Sequence, residues 1–190
     1  MRVLLATSNF VNRLLERIAD TTGWLLLVLA RVIFFDVVTR KLGFQVPSFG
    51  STMLQELEWH LHAAIFSLWV GFNYAINAHP RVDSCTESLS LRGKAWAELA
   101  SCLVFALPYC LMLLWYGIGF MHVSYVTGET SDAPTGLAHR WILKTVFFIG
   151  IVLLTMSVLS MIARLGVFLF GGELAKEAHL PIDKKVDAGV

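Results

Sequence analysis

The sequence predicts an all-α integral membrane protein with four transmembrane helices, N-in/C-in, and an amphipathic N-terminal lead-in. Three observations predict it. Of 190 residues, 56% are hydrophobic and 15% charged, against about 45–50% and about 25% in soluble globular chains. The apolar excess, with a mean hydropathy of +0.66, falls into four blocks separated by polar segments, the pattern of spans rather than of one large core. Finally, Lys and Arg are shared unequally between alternate connecting segments. The net charge of +1 leaves no basic footprint for nucleic acid.

A helix needs about 20 mainly apolar residues to cross the hydrocarbon, because each backbone N–H and C=O must be satisfied within the segment. The first span is expected from Thr22 to Val38, the second from Trp59 to Ala78 and the third from Trp96 to Phe120. The fourth runs from Ile142 to Leu165, with Val167 to Phe170 able to extend it. Upstream of the first, Phe10, Val11, Leu14, Leu15 and Ile18 recur at helical spacing between Asn12, Arg13, Glu16 and Arg17. That pattern fits either an amphipathic segment at the interface or a simple extension of the first span. The apolar run begins near Gly23 and ends at Asp36 without a small-residue cleavage site, so a membrane helix behind a cytoplasmic leader is expected, not a cleaved signal. Residues 1–170 therefore form a single four-helix membrane domain and 171–190 a cytoplasmic polar tail.

Orientation follows the positive charges. The N-terminal segment, the loop between spans two and three and the C-terminal segment hold ten Lys and Arg, against four at Arg40, Lys41, Arg140 and Lys144. Both termini and the middle loop are expected inside. Trp59, Trp96 and Trp141 stand at span ends, where an indole prefers the headgroup region. Pro108 interrupts the third span and is expected to bend it. Cys85, Cys102 and Cys110 have no C-x-x-C spacing; the two inside the third span read as small packing residues.

An ionisable residue at the centre of a span costs about 2.5–3.5 kcal/mol on insertion scales, so each needs a reason. Asp36 and Arg40 are one helical turn apart and read as an ion pair at the outer end of span one. Arg31 lies deeper and about 140° around the helix from Asp36, which leaves it to snorkel or to meet a carboxylate of another helix or subunit. Gln55, Glu56 and Glu58 open span two; His79, Arg81 and Asp83 close it.

The catalytic inventory is empty: no phosphate-cradling glycine loop, nucleophile elbow or metalloprotease helix occurs, and no enzyme is expected. His60, His122 and His139 fall near one boundary and make a haem-bearing membrane anchor of a respiratory oxidoreductase the alternative reading. His62 points to another helical face from His60. A homodimeric small exporter needs a carboxylate near the midplane of its first helix, and Asp36 is too close to the end. A self-sufficient transporter would carry inverted repeats and paired broken helices; this chain has Pro108 as a single break and only Asn73 and Asn77 as uncharged polar candidates in span two. It reads as part of a transporter.

The order of these clusters resembles the small membrane subunit of tripartite ATP-independent periplasmic (TRAP) transporters, the DctQ-type small permease. The resemblance is carried by Asp36-x-x-x-Arg40 closing span one, and by Pro47-Ser48-Phe49-Gly50 with Leu54-Gln55-Glu56-Leu57-Glu58-Trp59 opening span two. It continues in His79-Pro80-Arg81-Val82-Asp83, with Arg92 and Trp96 beyond, and in Gly128-Glu129-Thr130-Ser131, Pro134, Gly136-Leu137, Arg140-Trp141 and Lys144 before span four. It extends from about Phe10 to Phe170. The last motif is similar to a branch often labelled for mannitol or chloroaromatic uptake, in which the position of Pro80 is commonly Val.

The resemblance implies a bacterial inner-membrane subunit that needs no cofactor of its own. A large elevator-type permease, paired one-to-one, would carry substrate on a sodium gradient. A periplasmic solute-binding protein would deliver a small organic acid to it, and membrane lipids would complete the surroundings. Asp36, Arg40, Gln55, Glu56, Glu58, His79, Arg81, Asp83, Glu129, Ser131, Arg140 and Lys144 would then serve subunit packing or the docking of the binding protein, not substrate contact.

Overall fold

The computed structural model describes residues 1–44, 50–78 and 88–181, and every regular element among them is helical. In chain order these are α1 (Arg2–Lys41), α2 (Ser51–Ala75), α3 (Leu91–Ser101), a π turn at Cys102–Ala106, α4 (Leu107–Val126), α5 (Trp141–Phe170) and a 3-10 turn at Gly172–Glu177. The stretch from Leu91 to Val126 is one 36-residue helix with the π turn inside it. Three helices are long and apolar enough to cross a membrane by length and composition: Arg2–Lys41, Leu91–Val126 and Trp141–Phe170. α2 is not among them. Its 25 residues suffice to cross, but Glu56, Glu58, His60, His62 and Asn73 dilute its apolar character.

The lead-in and the first expected span are one unbroken helix. Thr21 and Thr22 lie inside it without interrupting it, because their hydroxyls donate back to the carbonyls of Arg17 (2.8 Å) and Ile18 (2.7 Å),. Leu5, Ser8, Val11, Leu15 and Ala19 are buried at three- and four-residue spacing, the register of a packed helix face. The lead-in is thus an extension of the first span. The third span carries a π turn ahead of Pro108. The Leu107 amide donates to the Cys102 carbonyl five residues back; this wider turn sits just before Pro108, whose ring cannot accept a regular α-helical turn ahead of it.

Three helices end in the same way. Gly43, Asn77 and Gly128 have φ of 67°, 60° and 59°, and each is followed by an amide that reaches back five residues: Phe44 to Thr39, Ala78 to Asn73 and Glu129 to Ser124, at 3.0, 2.9 and 3.1 Å. This is the Schellman termination. Asn77 is therefore a helix stop beyond Ala75, and not a polar group inside a span.

The chain divides into two compact units. One comprises Met1–Glu16, Val70–Met112 and Val152–Val190. Its core is Ala95, Leu99, Cys102, Met161, Leu165, Leu169 and Leu180, with Tyr74, Ile162 and Phe168 against it. Leu180 is buried in this core and Ala178 is buried with Leu5 and Val167, so the first part of the segment expected to be a solvated tail packs back on the helices; residues 182–190 lie outside those described. A polar network fills the same unit. Arg164 donates from Nε to Ser8 Oγ (2.7 Å), from Nη2 to Asn9 Oδ1 (2.6 Å) and from Nη1 to the His179 carbonyl (2.9 Å). Ser160 bonds Ser8 Oγ at 2.7 Å and Asn12 Oδ1 at 2.9 Å. Gly71 of α2 lies on the backbone of α5: a Cβ there would stand 2.8 Å from the Leu153 carbonyl.

The other unit comprises Arg17–Trp69 and Leu113–Ile151. Trp69 Nε1 donates to the Ala19 carbonyl (3.1 Å) and to Thr22 Oγ1 (2.9 Å), tying α2 to α1. Gly150 of α5 meets Ser67 of α2 backbone to backbone, with the Ser67 carbonyl carbon 2.8 Å from where a Cβ would be and its oxygen closer still. Small residues at such crossings let helices approach closely where lipid removes the hydrophobic drive. Cys102 and Cys110 are both buried, as expected of packing residues; Cys85 lies outside the described residues.

Candidate functional site

The second unit carries most of the polar residues singled out from the sequence, in two clasps that share adjacent positions of α2. In the first, Asp36 is 1% exposed. It pairs with Arg40, one turn on in α1, and accepts from Ser51 Oγ at 3.1 Å. The Arg40 guanidinium also lies against the Gln55 amide, which accepts from Nη1 and Nη2 at 3.0 Å each once its oxygen is turned toward them. Ser51 opens α2, so the last turn of α1 is fastened to the first turns of α2. A buried carboxylate needs a charged or hydrogen-bonding partner for each oxygen, and Asp36 has both.

The second clasp is built on Glu56, 8% exposed. Its carboxylate accepts from the Ser131 hydroxyl and from the Leu137 backbone amide (2.6 Å), with Arg140 Nη2 at 3.6 Å. All three donors come from the connection between α4 and α5. That connection folds on itself through Ser131 N–H to the Leu137 carbonyl (3.1 Å), Gly136 N–H to Ala133 (2.9 Å) and Arg140 N–H to Glu129 (3.0 Å). Gly136 is required by space: a Cβ would stand 2.7 Å from Glu56 Oε2 and overlap the Ser131 side chain. Arg140 lies over the Trp59 ring at 5.9 Å, close to the limit of a cation–π contact,. The loop is pinned at its start by the Glu129–Lys144 ion pair, and Lys144 Nζ is 4.0 Å from the Phe120 ring centroid.

These donors set the electrostatics. The Ser131 hydroxyl, then the Leu137 amide, with smaller help from Arg140, hold the Glu56 carboxyl below its ordinary value against the opposing effect of burial,. Glu129 is likewise held low, first by Lys144 and then by the Ser124 side chain. Both groups are ionised acceptors and act as fasteners.

The structure brings Asp36, Arg40 and Gln55 together, then Glu56, Ser131 and Arg140, then Glu129 and Lys144. Glu58 joins none of these groups and keeps one buried carboxylate oxygen without a partner among the described residues. His79, Arg81 and Asp83, like Pro47 to Phe49, lie outside the described residues. Sequence reasoning missed Ser51, Leu137 and Trp59 as partners. Leu137 contributes its backbone amide, for which no side-chain signal exists. Of the histidines proposed for haem, His60 engages the Glu56 carbonyl through Nδ1 (2.6 Å) and stacks on Trp59.

A family model describing the DctQ component of tripartite ATP-independent periplasmic transporters matches residues 29–166. The chain belongs to the DctQ family. That match contains both clasps and the Glu129–Lys144 pair, and DctQ is a transporter-subunit family and not an enzyme family. Membership in it lends no support to a haem anchor. No curated protein and no solved structure matches the chain. In this DctQ protein the lead-in precedes the matched region, while its partner Arg164 lies within it.

Proposed function

We infer that this DctQ protein is the small membrane subunit of a sodium-coupled, binding-protein-dependent TRAP importer of a small organic acid. It pairs one-to-one with a large elevator-type permease and serves as static scaffold beside the moving parts. α2 is the fourth crossing, with both termini and the loop after α2 in the cytoplasm of a bacterial inner membrane. The two clasps then lie on the periplasmic side. There the loop between α4 and α5, held by Glu56, forms a fixed surface for the permease or the binding protein. His79, Arg81 and Asp83 serve the cytoplasmic side.

The observation that carries the scaffold role is the occupancy of the Glu56 carboxylate. Both of its oxygens are engaged by the chain's own donors, which supports a role as a fastener of the loop. The test is co-expression of the tagged chain with its candidate large permease, extraction in mild detergent and stoichiometry by mass. Sodium-dependent uptake with the binding protein follows in proteoliposomes. A one-to-one complex with sodium-dependent uptake is expected. A tagged chain recovered alone, or as a homo-oligomer, refutes it. Glu56→Ala is expected to lose transport together with assembly or loop order. Lost transport with the complex and loop intact would point to a role in transport itself.

A further inference from the structure

Arg31 is the single charged residue between Asp20 and Asp36 of α1. The rise of a helix puts it about 7.5 Å from Asp36 and about 17 Å from Asp20. It is exposed, and it has no hydrogen bond or ion pair among the described residues. Asp36 is already committed to Arg40 and Ser51, on another side of the helix. Positions three, four and seven residues away share the face of Arg31: Trp24, Leu27, Val28, Phe34 and Phe35, all exposed, Trp24 and Phe34 at 70% and 71%. The opposite side, at Leu29 and Asp36, is buried. A wide apolar face of a membrane-spanning helix therefore carries one unmatched guanidinium at its centre.

Lipid tails supply no acceptor at that depth. Snorkelling to the nearer polar end runs against the geometry, since helical side chains lean toward the N-terminus and Asp36 lies toward the C-terminus. The farther end is beyond the reach of an arginine. A second copy packed through this face by a twofold axis would set Arg31 near Arg31 with no acid between them.

We propose that the α1 face centred on Arg31 is the docking surface for the large permease subunit, which presents a carboxylate to Arg31 within the membrane. This rests on the subunit reading above and adds the face and the recognising chemistry. Apolar surface supplies the area; the matched charge fixes depth and rotation of the partner helix.

The test is photo-cross-linking in membranes that hold both full-length subunits, with benzoylphenylalanine at Leu27 or Phe34, and at Tyr116, exposed on α4, for contrast. Leu27 and Phe34 are expected to capture the large subunit. Arg31→Leu is expected to lower its co-purification by at least about tenfold, equivalent to 1.4 kcal/mol, with Arg31→Lys between the two. Removing a charge from a span favours insertion, so loss of the partner in Arg31→Leu reports on the interface. Capture of lipid or a second copy alone from Leu27 and Phe34, with the large subunit captured from Tyr116, overturns the proposal. So does wild-type recovery of the large subunit with Arg31→Leu; in both cases the subunit reading survives. A wild-type chain that binds no large subunit overturns both.

Discussion

Gly150→Ala tests the helix crossing of α2 and α5 at its tightest point. The added Cβ stands 2.8 Å from the Ser67 carbonyl carbon, where ordinary contact begins at 3.4 Å. The oxygen is closer still, so the helices must part locally by at least about 0.6 Å, which forfeits dispersion contacts along the crossing,. Overpacking of this kind costs about 1–3 kcal/mol, and a backbone obstacle that cannot rotate away belongs at the upper end. Alanine returns about 1 kcal/mol through helix propensity. The net expectation is a loss of about 2 kcal/mol, or about 30-fold in the folded-to-unfolded ratio. Gly166→Ala, in the same helix but with nothing within 4 Å, supplies the contrast and should gain up to about 1 kcal/mol. Reversible unfolding of the purified chain in bicelles by titration with a denaturing detergent, followed by helical circular dichroism, measures both. If Gly150→Ala is as stable as Gly166→Ala, the close crossing is wrong.

Other expectations follow from the polar contacts. Glu56→Gln should free the loop between α4 and α5, seen as faster amide exchange at Leu137 and Arg140, with α2 unchanged. Because the Glu56 carboxyl is held below its ordinary 4.5, its contribution to loop stability is complete above that pH and is lost as pH falls through the lowered folded value; the protection of loop amides relative to their intrinsic exchange, followed downward from pH 6, should fall only below about 4.5. Ser8→Ala leaves Arg164 Nε and Ser160 short of a partner and should cost about 1–3 kcal/mol in the same unfolding assay. Trp69→Phe removes one donor to Ala19 and Thr22 and should cost about 0.5–1.5 kcal/mol.

Much of the fold was legible because apolar length is a one-dimensional property. The stretches that form α1, the helix Leu91–Val126 and α5 are visible as runs; most of their ends shift by a few residues, but α1 starts at Arg2, well ahead of Thr22, because the lead-in continues it. What periodicity could not supply was the local stop chemistry. Asn77 reads as a polar side chain, yet its work is a positive φ. Pro108 reads as a bend, but the π turn that precedes it has no signal in the sequence. In the site, the residue types of the Asp36 and Glu56 clasps were visible as motifs, but their pairing was not. Glu56 and Leu137 are 81 positions apart and meet through a main-chain amide. Arg164 looked like one more inside charge; its partners Ser8 and Asn9 are ordinary residues more than 150 positions away.

Among the three long apolar helices of the described residues, burial is concentrated in the one that comes last in the sequence. In its most apolar window α5 is 44% buried, against 11% for α1 and 17% for Leu91–Val126. Ribosomes synthesise the amino end first, so Ser8 and Asn12 are made long before Ser160 and Arg164 exist to receive them, and Glu56 waits for the loop that precedes α5. A nascent chain halted before Trp141 already holds the donors that answer Glu56, but leaves Ser8 and Asn12 without their partners from α5. Synthesis of α5 is what answers them, so the polar contacts of the amino end form only once Ser160 and Arg164 have been made.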